Sequence, residues 1–270
     1  MKIPKIIWSF WGSRKYPETV KRCIESWRWY NPGYKINVIT PRTIRRFFHE
    51  KNILKLRHAK ESLARLSDFV RLNVLYKHGG IWIDASTLCT EPFDDWYKRI
   101  GVKSGTEFVG YYNSMFTSRR RYPVIESWFF ACAKRSPFVR RWRDEFMRIN
   151  DFEEVDDYLD EVEKIISFQN IPKYDDPNYL AIHVAAQVVL QWERYPTRNM
   201  IILRAESGPL KYLLSDPDLT DTQKVRRICK ENKMWSRPII KFIGSTRAVL
   251  ERNKSLRRCV FDKWMEKSRD

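Results

Sequence analysis

The sequence predicts an α/β layered domain, and three observations carry that expectation. Short apolar runs that read as buried strands alternate with segments of helical spacing; Gly, Pro and Asn punctuate the joints; and a helix apolar on nearly every side leads through two glycines into a strand that ends in an aspartate. With 270 residues, 43% hydrophobic and 14% aromatic, the chain is long enough to bury a real core and too apolar to be a disordered tail.

The elements follow in order. Lys5 to Trp11 reads as a buried first strand, broken by Gly12 and Ser13. Pro17 to Tyr30 has helical spacing through Val20, Cys23, Ile24 and Trp27, and Asn31-Pro32-Gly33 stops it. Tyr34 to Ile39 alternates as a strand, and Pro41 opens another helix. From about Glu61 to Lys77, Leu63, Leu66, Phe69, Val70, Leu72, Val74, Leu75 and Tyr76 spread apolar surface round the whole helical wheel, the mark of a buried helix. Yet Arg65, Asp68 and Arg71 lie in it, three residues apart. Buried charges must be paired or used, so this stripe is either an internal salt bridge or part of a site. Gly79 and Gly80 end the helix, Ile81 to Ile83 begins a strand, and Asp84 stands at its carboxyl end, where open α/β sheets gather ligands. Asp84 either caps the next turn with Ser86 or Thr87 or offers its carboxylate to a ligand.

Later segments give coarser signals. DFEEVDDYLDEVEKI places Phe152, Val155, Leu159, Val162 and Ile165 or Ile166 at helical spacing, an amphipathic helix with a solvated acidic face. His183 lies on an apolar helix face with Gln187 one turn later, as a core histidine or a site residue; Glu126 either positions an acceptor hydroxyl or faces solvent. KFIGSTR, Lys241 to Arg247, offers a Gly-Ser-Thr turn with cations on both sides that suits phosphate oxygens through Lys241, Ser245 and Arg247, or is a surface loop. The last 26 residues, from Ser245, combine Val249, Leu250, Leu256, Val260, Phe261, Trp264 and Met265 with many cations. They suit a final packed helix or a basic helix lying on anionic lipid.

The 51 Lys and Arg against 33 Asp and Glu give a net charge of +18 and call for an anionic partner: nucleotide diphosphate, acidic glycan, lipid headgroups or nucleic acid. Cys23, Cys89, Cys132, Cys229 and Cys259 are scattered without metal or disulfide spacing and read as free thiols in a reducing compartment. The interrupted N-terminus lacks a signal-peptide core, and no run reaches the roughly 20 apolar residues of a membrane span. The expected place is the cytoplasm, or the cytosolic face of a membrane as a peripheral protein.

ARLSDFVRLNVLYKHGGIWIDAST, with IPKIIWSFW before it, resembles the sugar-transferase region of glycosyltransferase family 32. It is closer still to the related capsular polysaccharide synthesis proteins, and is more distantly similar to the glucosylating domains of large clostridial toxins. VIESWFFACAKRSPF, YLAIHVAAQVVL and ESGPLKYLL are weaker echoes of the capsular group. The resemblance implies a GT-A type, Rossmann-like nucleotide-sugar-binding sheet with helical C-terminal additions. It implies one domain over 1–270, with the nucleotide-sugar core in 1–150 and a helical, acceptor-side part in 151–270. The implied activity is retaining transfer of a sugar from a nucleotide-diphosphate donor, a UDP-sugar, to a glycan or polysaccharide acceptor.

The same resemblance assigns residues. Trp11 would stack on the base, with Phe10 beside it and Gly12 leaving room for approach. Asp68 and Arg71 would hold the donor's hydroxyls and phosphates, with Arg65 and Gly80 in the same donor-binding set. Asp84 matches the first aspartate of a DxD motif and would hold Mn²⁺ or Mg²⁺ against the two phosphates. The second aspartate is replaced by Ser86, a neutral and weaker metal ligand, and Lys241, Ser245 and Arg247 could assist. Retaining transfer is pictured as front-face attack in which the leaving phosphate takes the acceptor proton; inverting transfer would need a base such as Glu126, Asp94 or Asp95. The acceptor side is assigned to Glu126 and His183. The competing reading, a basic nucleic-acid-binding module, is supported by charge and aromatic content. It has no zinc spacing or RNA-binding aromatic motif, and it leaves Asp68, Arg71 and Asp84 without a role, so no nucleic-acid partner is expected.

Overall fold

The first half of the chain folds close to its punctuation. The computed structural model describes residues 2–48, 53, 55–167, 177–214, 216, 218–230 and 237–265. Within them β1 is Ile6–Phe10, α1 Glu18–Tyr30, β2 Lys35–Ile39, α2 Leu63–His78, β3 Gly80–Ile83 and β4 Thr87–Cys89. Then come α3 (Phe93–Arg99), β5 (Phe108–Tyr112), β6 (Ile125–Cys132), α4 (Pro137–Met147), α5 (Val155–Glu163), α6 (Ala181–Gln187), β7 (Met200–Arg204), α7 (Lys211–Leu214), α8 (Asp221–Lys230), β8 (Ile239–Lys241), α9 (Gly244–Arg252) and α10 (Lys254–Met265). The chain forms two compact units whose segments alternate along it: 1–12, 37–83 and 103–204 make one, 13–36, 84–102 and 205–270 the other.

The first unit is built on a mixed six-stranded sheet in the order β2-β1-β3-β6-β5-β7. β1 and β3 run parallel, with Ile7 opposite Ile81 and Trp8 opposite Trp82, and β5 pairs parallel with β7. β6 runs antiparallel to both β3 and β5. With α2 packed on β1, β3 and β6, this is the α/β layering that the alternating pattern predicts, in accord with a GT-A type sheet. Phe69 of α2 meets Phe146 of α4 with ring centroids 4.8 Å apart, and Trp142 lies 5.0 Å from Phe130 while donating its indole N–H to the Ile182 carbonyl at 2.7 Å. A buried Glu107 carboxylate ties the unit together: it accepts from the Phe138 amide at 2.6 Å, the Ser136 hydroxyl at 2.8 Å and the Tyr195 hydroxyl at 2.8 Å. α5 has the expected acidic outer face, and its apolar side buries Val155, Tyr158, Leu159 and Val162.

The second unit centres on an antiparallel ribbon in which Thr87, Leu88 and Cys89 of β4 face Lys241, Ile240 and Ile239 of β8. α1 packs against β4: the Trp27 indole N–H donates to the Thr87 carbonyl at 2.7 Å, and the Ser26 hydroxyl accepts from the Cys89 amide at 2.9 Å. α8, α9 and α10 pack on one another.

Three expectations change. The helix at Pro41 is a 3₁₀ turn over Ile44–Arg46, because the Thr43 hydroxyl accepts from the Thr40 amide at 2.9 Å and closes a local turn in competition with a longer helix. The Gly-Ser-Thr segment is the first turn of α9, with Thr246 buried against Tyr212. The C-terminal stretch is two helices joined at Asn253 rather than one final helix, and Leu256, Val260, Phe261 and Trp264 are buried, as the packed reading expects. Residues 266–270 of that stretch lie outside the described residues. Among the described residues no helix is long and apolar enough to cross a membrane.

Candidate active site

Ser62 starts α2 by accepting from the Arg65 amide at 3.1 Å, and the helix then places Arg65, Asp68 and Arg71 on successive turns among core residues. All three are buried, at 6%, 8% and 6% exposure. Arg71 lies 3.3 Å from the Asp68 carboxylate, donates to the Ser67 hydroxyl at 3.3 Å and sits 5.1 Å over the Trp82 ring. Arg65 reaches Glu61 at 3.9 Å and lies over Phe146 at 5.9 Å. The stripe therefore holds a charge pair built on an aromatic floor from β3. Trp82 and Ser67 are the contributors that the sequence reading missed; Ser67, four residues before Arg71 on one helix face, was legible from spacing.

Elsewhere in the first unit, Trp11 is half-buried and its amide donates to Ile39 at 2.9 Å, whereas Phe10 is packed in the hydrophobic core. A Leu63 methyl stands 2.5 Å from where a side chain at Gly12 would begin. Gly80 has φ +105°, and a β-carbon there would lie 2.5 Å from the Ile6 carbonyl oxygen, so its small size serves the close approach of β3 to β1. His183 lies on α6; withdrawal of its ring from water and the positive charge of Arg71 push its pKa down to about 4, leaving a neutral imidazole at pH 7. Gln187, one turn on, donates to the Pro123 carbonyl at 2.8 Å. Glu126 accepts from the Asn113 side-chain amide at 3.1 Å.

The second unit gathers Asp84, Ser86 and Lys241. The Lys241 ammonium donates to Asp84 Oδ2 at 2.8 Å and approaches Ser86 Oγ at 3.3 Å, while the Ser86 hydroxyl gives its own proton to the Phe242 carbonyl at 2.9 Å. The Asp84 side chain keeps 28% of its surface and that of Lys241 10%. Mg²⁺ or Mn²⁺ is commonly held by one or two carboxylates together with substrate phosphates; here the set offers a single carboxylate already paired with the Lys241 ammonium, beside a neutral hydroxyl whose proton is committed to Phe242, so with the ammonium in place the donor set does not fit a divalent ion. Among the described residues there is also no group of three or more His, Cys, Asp or Glu side chains able to hold one.

Ser245 is exposed and Arg247 half-buried, both in the first turn of α9. Asp94 and Asp95 lie in the first turn of α3; Asp94 accepts from the Tyr34 hydroxyl at 2.7 Å and Asp95 lies 3.4 Å from Lys98. All five cysteines are free, and burial pushes the Cys89 thiol up to about 12 and those of Cys23 and Cys132 well up, which makes them packing groups rather than nucleophiles.

Comparison with known proteins places these residues in context. The chain is similar to inositol phosphoceramide mannosyltransferase 1 of Schizosaccharomyces pombe, 26% identical over 130 residues that make up 46% of this chain and 41% of the relative. It is likewise similar to the O-glycosyltransferase braB of Annulohypoxylon truncatum, 27% identical over 162 residues, 54% of this chain and 38% of the relative. It thus spans less than half the length of either. Among solved structures, a glycosyltransferase involved in glycosylation of the major capsid of PBCV-1 aligns over 92% of this chain and 96% of its own, with 12% identity and a TM-score of 0.45. Residues 1–159, more than half of the 270 and including Trp11, Asp68, Arg71, Asp84 and Ser86, match the family described as capsular polysaccharide synthesis protein, and the chain belongs to that family.

Proposed function

We propose that the protein is a glycosyltransferase that moves a sugar from a nucleotide-diphosphate donor, a UDP-sugar, to a glycan or polysaccharide acceptor with retention of configuration. The observation that carries this reading is the buried Asp68–Arg71 pair inside the family-matched segment. A buried ion pair is weak as a stabilising device, since the desolvation of its charges offsets most of their attraction, and its place among the buried apolar residues of α2 supports use by a ligand. Asp68 would accept hydrogen bonds from donor-sugar hydroxyls, and Arg71 would meet phosphate oxygens. The half-buried Trp11 would stack on the base, and neutral His183 would hydrogen-bond an acceptor hydroxyl. Phe10, in the core, and Gly80, against β1, support these residues from within.

In the transfer, the bond from the anomeric carbon to the β-phosphate oxygen breaks with its electron pair remaining on that oxygen. The acceptor oxygen bonds to the anomeric carbon, and its proton passes to the leaving phosphate. A divalent cation is the usual means of neutralising that phosphate in such enzymes; the Asp84 and Ser86 oxygens, shared with the Lys241 ammonium, do not fit one. The names of the relatives, which include a mannosyltransferase and an O-glycosyltransferase, support the reaction class. The test is to incubate the protein with UDP-, GDP- and dTDP-sugars and measure release of nucleoside diphosphate. One donor should be consumed, and Asp68→Asn should stop the release while the protein still melts cooperatively. Undiminished release by that variant would refute the assignment of Asp68.

A further inference from the structure

The geometry points to Lys241 as the resident cation of the Asp84–Ser86 cluster: its ammonium takes the place that a divalent metal would hold there and would donate directly to an oxygen of a diphosphate bound beside it. The inference rests on the glycosyltransferase reading above and deepens it. Three observations within one unit carry it. First, the ammonium stands between the Asp84 carboxylate at 2.8 Å and the Ser86 hydroxyl at 3.3 Å, the two oxygens of the DAS segment. Second, Ser86 is oriented to receive it, because its proton is committed to the Phe242 carbonyl at 2.9 Å and a lone pair is left for an N–H donor. A second aspartate in place of Ser86 could not donate that proton. Third, the lysine is fixed by its backbone. Lys241 lies opposite Thr87 in the β4–β8 ribbon, its carbonyl accepts from the buried Tyr212 hydroxyl at 2.7 Å, and its amide donates to Pro209 at 3.2 Å.

With its backbone fixed in the ribbon and its ammonium held by Asp84 and Ser86, the side chain is ordered before any ligand arrives, which is the preorganisation that electrostatic catalysis needs. A divalent ion entering beside Asp84 would be pressed against the ammonium. The ammonium in turn can turn an N–H toward a phosphate oxygen as negative charge develops there, the transferred sugar leaving that oxygen with the bonding pair. Asp84 acts as a positioning residue in this arrangement.

The experiment measures binding of UDP, GDP and dTDP by calorimetry, each in EDTA and again with added Mn²⁺. One nucleoside diphosphate should bind equally well in both conditions. Lys241→Met, of similar length but uncharged, should weaken that binding by about 10- to 100-fold, as expected for loss of a charge-assisted hydrogen bond, and Lys241→Arg should restore part of it. Binding that requires Mn²⁺ would overturn the inference and leave the glycosyltransferase reading intact, as would undiminished binding by folded Lys241→Met. Failure of all three diphosphates to bind in either condition would overturn the donor reading itself and the inference with it. If Lys241→Met does not fold, the comparison of EDTA with Mn²⁺ on the unaltered protein decides alone.

Discussion

Gly80→Ala separates a structural glycine from a ligand-facing one. At φ +105° an alanine loses the conformational freedom that glycine has, a penalty of about 1–2 kcal/mol. The new β-carbon would also stand 2.5 Å from the Ile6 carbonyl oxygen and 3.2 Å from the Ile6 β-carbon. Backbone cannot step aside as a side-chain tip can, so β3 and β1 must separate, weakening about two ladder hydrogen bonds worth about 0.5–1.5 kcal/mol each. The sum is about 2 to 5 kcal/mol, which for a chain of this size lowers Tm by roughly 4–20 °C. Gly101→Ala is the internal control: φ is +78° there but no atom lies within 4 Å of the added carbon, so only the backbone penalty of about 1–2 kcal/mol should remain. Differential scanning calorimetry of both variants reads the difference. If Gly80→Ala melts with Gly101→Ala or above it while nucleoside diphosphate binding disappears, the strand-contact reasoning is wrong and the glycine faces a ligand.

The other predictions test the site and its support. Trp11→Ala should weaken nucleoside diphosphate binding by about 5- to 150-fold, matching about 1–3 kcal/mol of base stacking, with a smaller effect on Tm; a Tm loss with binding intact would make Trp11 a packing residue. Glu107→Gln removes the charge from three buried hydrogen bonds and should destabilise by about 2–4 kcal/mol in urea unfolding; a change under 1 kcal/mol would refute the network's weight. His183, held down to about 4 in the fold against about 6.5 unfolded, favours folding fully above pH 6.5 and loses that contribution as pH falls towards 4, since the unfolded chain binds the extra proton first. The ceiling on this loss is about 3 kcal/mol, so the stability gap between wild type and His183→Gln should shrink on acidification from pH 7 to 4.5. A gap independent of pH would show that the imidazole is not perturbed.

The parts legible in the sequence are those governed by neighbours along the chain. α2 and its glycine stop could be read because helical periodicity and the Gly79-Gly80 stop are local properties. The Asp68–Arg71 pair followed from the same spacing. What resisted reading depends on distant segments. Lys241 could be assigned to phosphate from its cationic surroundings, but only the β4–β8 register brings it to Asp84, 157 residues away. Ser86 looked like a weakened metal ligand because the carbonyl that takes its proton belongs to Phe242. The Gly-Ser-Thr composition of 244–246 signalled a turn, and burial of Thr246 against Tyr212 overrode it in favour of helix. The apolar face of α10 had two possible occupants, lipid or protein, and only tertiary packing chooses.

The alternation of the two units along the chain bears on how the protein can be cut. The family-matched segment ends at residue 159, yet β7, which completes the sheet beside β5, begins at Met200, and β8, the partner of β4, begins at Ile239. A fragment expressed to that boundary would carry two raw strand edges, on β5 and on an unpaired β4, the kind of surface that recruits other chains. The natural place to divide this sequence is therefore nowhere between its first strand and its last: engineering by truncation should yield aggregates, whereas insertions at exposed loop tips, which leave both units their strands, should be tolerated.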